Sequence, residues 1–88
     1  MKACDAAVWM LAQIGVHGCI YQDEVVDFLV RAKAEDLLRE NADGNLVVGR
    51  AILDAFKALT EETVVWVRAE RYWRWRVKED EPGREARG

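Results

Sequence analysis

The single histidine, His17, stands in Gly15-Val16-His17-Gly18-Cys19, close to one of two cysteines and downstream of the other, Cys4. Such residues could ligate a metal or form a Cys–His nucleophile. Structural zinc takes four ligands at recognisable spacings, and neither CxxC nor HxxxH occurs in the chain. On a strand, His17 and Cys19 would share a side, but a nucleophile pair also needs a group that orients the base, and none can be named. Cys19 therefore reads as a small apolar packer beside Ile20, and His17 as a solvated turn residue. Gly44 and Gly49 have neither the spacing nor the lysine of a phosphate-cradling loop. The expectation is a chain without metal, cofactor or enzymatic activity.

A different chemistry lies near the C-terminus. Residues 66–78 hold Arg68, Arg71, Arg74, Arg76 and Lys78 against Glu70 alone, together with Trp66, Trp73 and Trp75 of the four tryptophans. Guanidinium groups interleaved with indoles suit binding, because Arg, Trp and Tyr dominate energetic hot spots at protein interfaces. The same residues can grip phosphates or stack on unpaired bases. The formal net charge is −3 and the pI about 5.1, so the basic segment lies between acidic ones. That balance disfavours a general nucleic-acid binder.

The elements that position this segment follow from periodicity. Ala7, Met10, Leu11 and Ile14 make one apolar stripe, which predicts a first helix over about Asp5–Ile14, with Gly15 placed to stop it. Trp9 reads as core edge, or as a contact with a second chain. Cys19-Ile20-Tyr21 reads as a very short strand. Gln22-Asp23-Glu24 opens a second helix, whose stripe is Val25, Phe28, Leu29 and Ala32. Its end is open: Glu35–Glu40 either continues it, or Leu37 and Leu38 form an extended return toward the turn Asn41-Ala42-Asp43-Gly44-Asn45. A third helix runs from Gly49 or Arg50 to Leu59, burying Ile52, Phe56 and Leu59.

Thr63–Arg68 is β-branched and aromatic, and Arg71–Val77 alternates charge with aromatic, so the two predict a hairpin. Ala69-Glu70 is a poor tight-turn sequence, which predicts a looser tip. If positions 68 and 71 face each other, Trp66 opposes Trp73 and Val64 opposes Trp75. These four residues then share the face laid on the helices, with Trp73 and Trp75 in structural roles. The other face, Val65, Val67, Tyr72, Arg74 and Arg76, is expected to meet solvent.

The chain has 88 residues, 51% hydrophobic and 33% charged, which fits one small domain over residues 1–78. Residues 79–88 have no large apolar side chain and predict a flexible polar tail. No apolar run approaches the roughly 18 residues of a membrane span. Asp5 before the first apolar stretch is unlike a secretory leader, and two cysteines are too few for a disulfide framework, so a cytoplasmic protein is expected.

Helix, short strand, helix, helix and terminal hairpin is an order that resembles the winged-helix fold over about residues 5–78. The fold class expected is thus α+β: three helices with a C-terminal β-hairpin wing and a short N-terminal strand. The resemblance implies that Arg50–Leu59 corresponds to the helix that often enters the DNA major groove, and Thr63–Val77 to the wing. Separately, YQDEVV at Tyr21–Val26, DGN at Asp43–Asn45 and LTEETVVWVRAERYWRWR at Leu59–Arg76 are similar to a small uncharacterised bacterial family, some members of which lie on mobile gene cassettes. No known activity comes with that similarity.

The functional expectation is a non-enzymatic interaction module, self-associating with a dimer favoured, that binds a protein partner through Trp66, Arg68, Arg71, Tyr72, Arg74 and Arg76. The alternative is a winged-helix DNA-binding protein, with Arg50, Lys57, Arg68, Arg71, Arg74 and Arg76 as its nucleic-acid contacts. Against it, the third helix offers only Arg50 and Lys57 to reach base edges, with Asp54 between them.

Overall fold

Two helices begin with the same device, an acidic side chain in the first turn that reaches back to a backbone amide. Lys2 N–H donates to Asp5 Oδ2 at 3.0 Å and Tyr21 N–H to Glu24 Oε1 at 3.1 Å, satisfying donors that a helix start leaves open. These contacts open α1 (Ala3–His17) and α2 (Gln22–Arg31), which flank β1 (Cys19–Tyr21). The structure, a computed structural model, describes residues 1–78 and the backbone of 85–86. Downstream lie a 3-10 turn (Glu35–Leu37), β2 (Leu38–Glu40), β3 (Leu46–Val48), α3 (Arg50–Thr60), β4 (Val64–Val67), β5 (Tyr72–Trp75) and a two-residue β6 (Glu85–Ala86). The expected tail falls on residues 79–88, and apart from that strand it lies outside the described residues.

The first helix runs past Gly15 and stops at Gly18, which takes φ 84° while its N–H bonds to Ile14 O at 2.7 Å. A left-handed cap is least strained at a residue without a Cβ, whereas a helical glycine costs only about 1 kcal/mol. The second helix ends at Arg31 in a Schellman arrangement. Lys33, left-handed at φ 57°, donates to Val30 O, and Ala34 donates to Leu29 O. Ala32 is therefore exposed rather than in the stripe, and Ala34 is buried in its place.

The open boundary resolves as the extended return. Leu38–Glu40 pairs antiparallel with Leu46–Val48, giving a small hairpin of its own. Asn41 Oδ1 closes its turn by accepting from Asp43 N–H at 2.9 Å and Asn45 N–H at 3.0 Å, and Gly44 supplies the positive φ of 78°.

The third helix buries Ile52, Phe56 and Thr60. Leu59, expected inside, is 47% exposed because the buried face advances by four residues from Phe56 and reaches Thr60. The Thr60 hydroxyl satisfies itself by donating to Phe56 O at 2.6 Å. α1 packs mainly on α3, and the core joins Ala7, Met10 and Ile14 to Val25, Leu29, Ile52 and Phe56.

The terminal hairpin has the expected register: Trp66 pairs with Trp73 and Val64 with Trp75. Its tip is a four-residue loop, Arg68–Arg71, with Arg71 left-handed at φ 55°. β1 lies antiparallel to β5, so the sheet order is β1-β5-β4-β6, with β6 parallel to β4. The molecule is α+β, with three helices among the described residues, a C-terminal hairpin and a winged-helix-like topology. None of the described helices is long and apolar enough to cross a membrane.

Gly49 caps α3 at a point where its own N–H bonds to Leu37 O, and an added Cβ would collide with that carbonyl. Two substitutions should therefore move stability in opposite directions in urea unfolding. Gly49→Ala should cost about 1–3 kcal/mol by overpacking. Lys33→Gly should gain up to about 1 kcal/mol, the left-handed strain relieved less the entropic cost of glycine.

Candidate binding groove at the wing tip

Trp73 is 4% exposed and fixes the hairpin to the helices. It meets Phe56 of α3 edge-on at 5.7 Å between ring centroids, and Trp66 lies on its other side at 4.5 Å. Trp66 is half-buried, and beyond it the loop at the hairpin tip brings Arg68 and Arg71 to the same groove. A groove of about 480 Å³ opens here between the wing tip, α3 and the β2–β3 hairpin.

Its apolar floor is Val47, Val48, Leu53, Trp66 and Trp73. Arg39, Lys57, Arg68 and Arg71 supply its cations, and Gln22 and Asn41 its amides. Among the described residues no carboxylate lines it. None of the four cations forms an ion pair among the described residues; the pairs present, Arg31–Asp27 and Arg50–Asp54, lie elsewhere. The carbonyl oxygens of both amides are occupied. Gln22 Oε1 accepts from Val48 N–H at 3.3 Å, and Asn41 Oδ1 holds its own turn. Both side-chain NH₂ groups remain as donors.

Gln22 also ties the groove together. Its backbone N–H donates to Arg71 O at 2.9 Å while its side chain accepts from Val48, so one residue links the wing tip to β3.

The expected contact residues divide between several places. Trp66, Arg68 and Arg71 line the groove, joined by Lys57 from the nucleic-acid set. Arg50 stands apart, paired with Asp54 at 3.3 Å on an exposed face of α3. Tyr72 lies on the opposite side of the sheet against Tyr21, with ring centroids 5.0 Å apart. Arg74 is half-buried there and donates from Nη1 to Trp75 O at 3.0 Å. Arg76 is half-buried at the wing base, in a shallow hollow with Thr63, Trp75 and Val77.

Two expectations about the hairpin faces are corrected. Val65 and Val67 are fully buried, so the face opposite the tryptophans is not the open one. β4 is an interior strand, with β5 and β6 paired to its two edges. Trp75, expected against the helices, is 40% exposed at the end of β5. On the tyrosine side, the Tyr21 hydroxyl is held above its ordinary value of 10.0, chiefly by desolvation and then by neighbours that include Cys19, Tyr72 and Glu70. Among the described residues no three His, Cys, Asp or Glu side chains converge to hold a metal. Cys4 is exposed, Cys19 half-buried, and neither is in a disulfide.

Sequence reasoning found the basic aromatic strand but missed Gln22, Arg39, Asn41, Val47, Val48 and Leu53. The turn chemistry at Asn41–Asn45 was the one available signal for the small hairpin that carries several of them.

A family model described as "Family of unknown function (DUF6953)" matches residues 2–75, and the chain belongs to that family. No curated protein and no solved structure matches it.

Removing the Gln22 side chain should loosen this arrangement first at β3. Gln22→Ala should cost about 0.5–1.5 kcal/mol in urea unfolding and speed hydrogen exchange at the Val48 amide ahead of amides in α1. Unchanged exchange at Val48 would remove Gln22 as the tie.

Proposed function

We propose that this chain is a non-enzymatic interaction module that binds a protein partner through the arginine–aromatic surface of its terminal hairpin and self-associates as a dimer. The observation that carries the reading is the exposed pair Arg68 and Arg71 beside half-buried Trp66, neither arginine in an ion pair among the described residues. An indole flanked by unengaged guanidinium groups is the composition of an interface hot spot. Tyr72, Arg74 and Arg76 extend the same hairpin on its other side and at its base. Self-association is supported by charge, since a basic tip on a chain of net charge −3 faces acidic surface on a second copy. Exposed apolar side chains, including Val8 at 57%, Val16 at 74% and Trp75 at 40%, add area that a dimer would cover. A cytoplasmic setting fits the two unlinked cysteines.

The topology favours one rival, membership of the winged-helix DNA-binding proteins. The exposed part of α3 weakens it: Ala51, Asp54, Lys57 and Ala58 lie there, and Arg50 is engaged by Asp54. A helix that reads bases needs free donors and acceptors on that face.

Light scattering on the purified protein tests the reading. The mass should exceed the 10.1 kDa of one chain, and Arg68→Ala/Arg71→Ala should return it to that value without loss of helical signal. A strict monomer contradicts self-association, and an unshifted dimer in the variant removes the hairpin as its contact. Duplex DNA binding that weakens steeply with salt and is lost in the same variant would favour the rival.

A further inference from the structure

Among the described residues, the side chains lining the groove at the wing tip are rich in donors and include no carboxylate. Arg39 comes from β2, Lys57 from α3, and Arg68 and Arg71 from the loop between β4 and β5, so four positive charges from three parts of the chain converge on one concavity. Asn41 Oδ1 holds two backbone N–H groups and Gln22 Oε1 one, and both amides offer their NH₂ groups as donors. The one acidic residue of the basic segment, Glu70, is exposed in the loop between β4 and β5 and is not among the residues that line the groove. Beneath these donors the floor is aliphatic as well as aromatic, with Val47, Val48 and Leu53 beside Trp66.

We infer that this groove binds an acidic peptide segment of a partner protein, with one large apolar side chain seated on Trp66 and Leu53 and flanking carboxylates taken by Arg39, Lys57, Arg68 and Arg71. The inference rests on the interaction-module reading and names the chemistry of the partner. A cavity of about 480 Å³ holds an apolar side chain with the backbone on either side of it. Carboxylates suit the rim because guanidinium groups grip them in a bidentate fork, and desolvation between two proteins strengthens the pair. A peptide is favoured over a nucleic-acid strand by the surroundings. A strand continuing out of the groove would meet a molecule of net negative charge, whereas a peptide can confine its carboxylates to the groove.

The test is a titration of isotope-labelled full-length protein with the capped peptide acetyl-EELFEE-amide, followed at the Trp66 and Trp73 indole N–H and the Arg68 and Arg71 Nε–H signals. Saturable shifts should appear at these probes and weaken as salt is raised. Binding should fall about tenfold or more with acetyl-QQLFQQ-amide and with acetyl-EESSEE-amide, which remove the charges and the anchor in turn. Arg39→Gln/Lys57→Gln, both exposed and unpaired, should weaken it about tenfold while leaving the unfolding midpoint unchanged. No saturable shift, or equal binding of the uncharged peptide, would overturn the assignment. So would a short oligothymidine strand that displaces the peptide at lower concentration. Shifts at the same probes that grow with protein concentration alone and resist the peptide would give the groove to a second copy, and would also overturn it. Molar mass is read without peptide, so a monomer that binds the peptide removes self-association and keeps this assignment, while a dimer that ignores it does the reverse.

Discussion

The indole of Trp73 is wedged between the ring of Phe56 and the indole of Trp66, and most of the molecule's geometry follows from that contact. Two aromatic pairs of this kind add about 0.5–1.5 kcal/mol each beyond the area they bury. More important is what they join. Phe56 belongs to the helical layer, Trp66 and Trp73 to adjacent strands, and Ile20 of β1 pairs with Trp73 across the sheet. One buried side chain thus sets the distance between α3 and the wing and places the N-terminal strand beside the C-terminal hairpin. A two-stranded hairpin alone is marginal in water, and here its stability comes from this docking.

The groove is a consequence of where that wedge stops. Trp73 fills the space next to Phe56, and Trp66, on the neighbouring strand, stays half-buried. The chain between α2 and α3 then folds back as a small hairpin and walls off the remaining gap. Gln22 holds the two walls in register through one backbone and one side-chain hydrogen bond. Four cations that converge without a counter-charge among the described residues repel one another, which water screens while the groove is open. The arrangement gains most when a ligand of opposite charge replaces that water, because the same charges then act at lower dielectric.

Much of the hairpin was legible in the sequence because its side chains alternate with period two. Once Arg68 and Arg71 were set across a tip, the pairings of Trp66 and Val64 followed and are the observed ones. Alternation gives the face and not its cover, which is why Trp75 was placed against the helices and is 40% exposed. The same limit hid the burial of Val65 and Val67. Helix stripes were legible, but their ends were not. Gly18 rather than Gly15 stops α1, and Thr60 rather than Leu59 completes the buried face of α3, because a cap or a hydroxyl bonded to its own helix is decided by local geometry. The groove was half legible. Its arginines and tryptophans announced themselves by composition, while Arg39 sits on a strand too short for a pattern and Asn41 read only as a turn residue. Gln22 reaches Val48 across 26 positions, a separation at which no local signal survives.

The contact on which this account stands can be observed directly in solution. Nuclear Overhauser spectra of the folded protein should show cross-peaks from the Trp73 indole protons to the Phe56 ring and to the Trp66 indole. Their absence, with the Trp73 indole N–H exchanging as fast as an exposed one, would contradict the wedge and the groove built upon it.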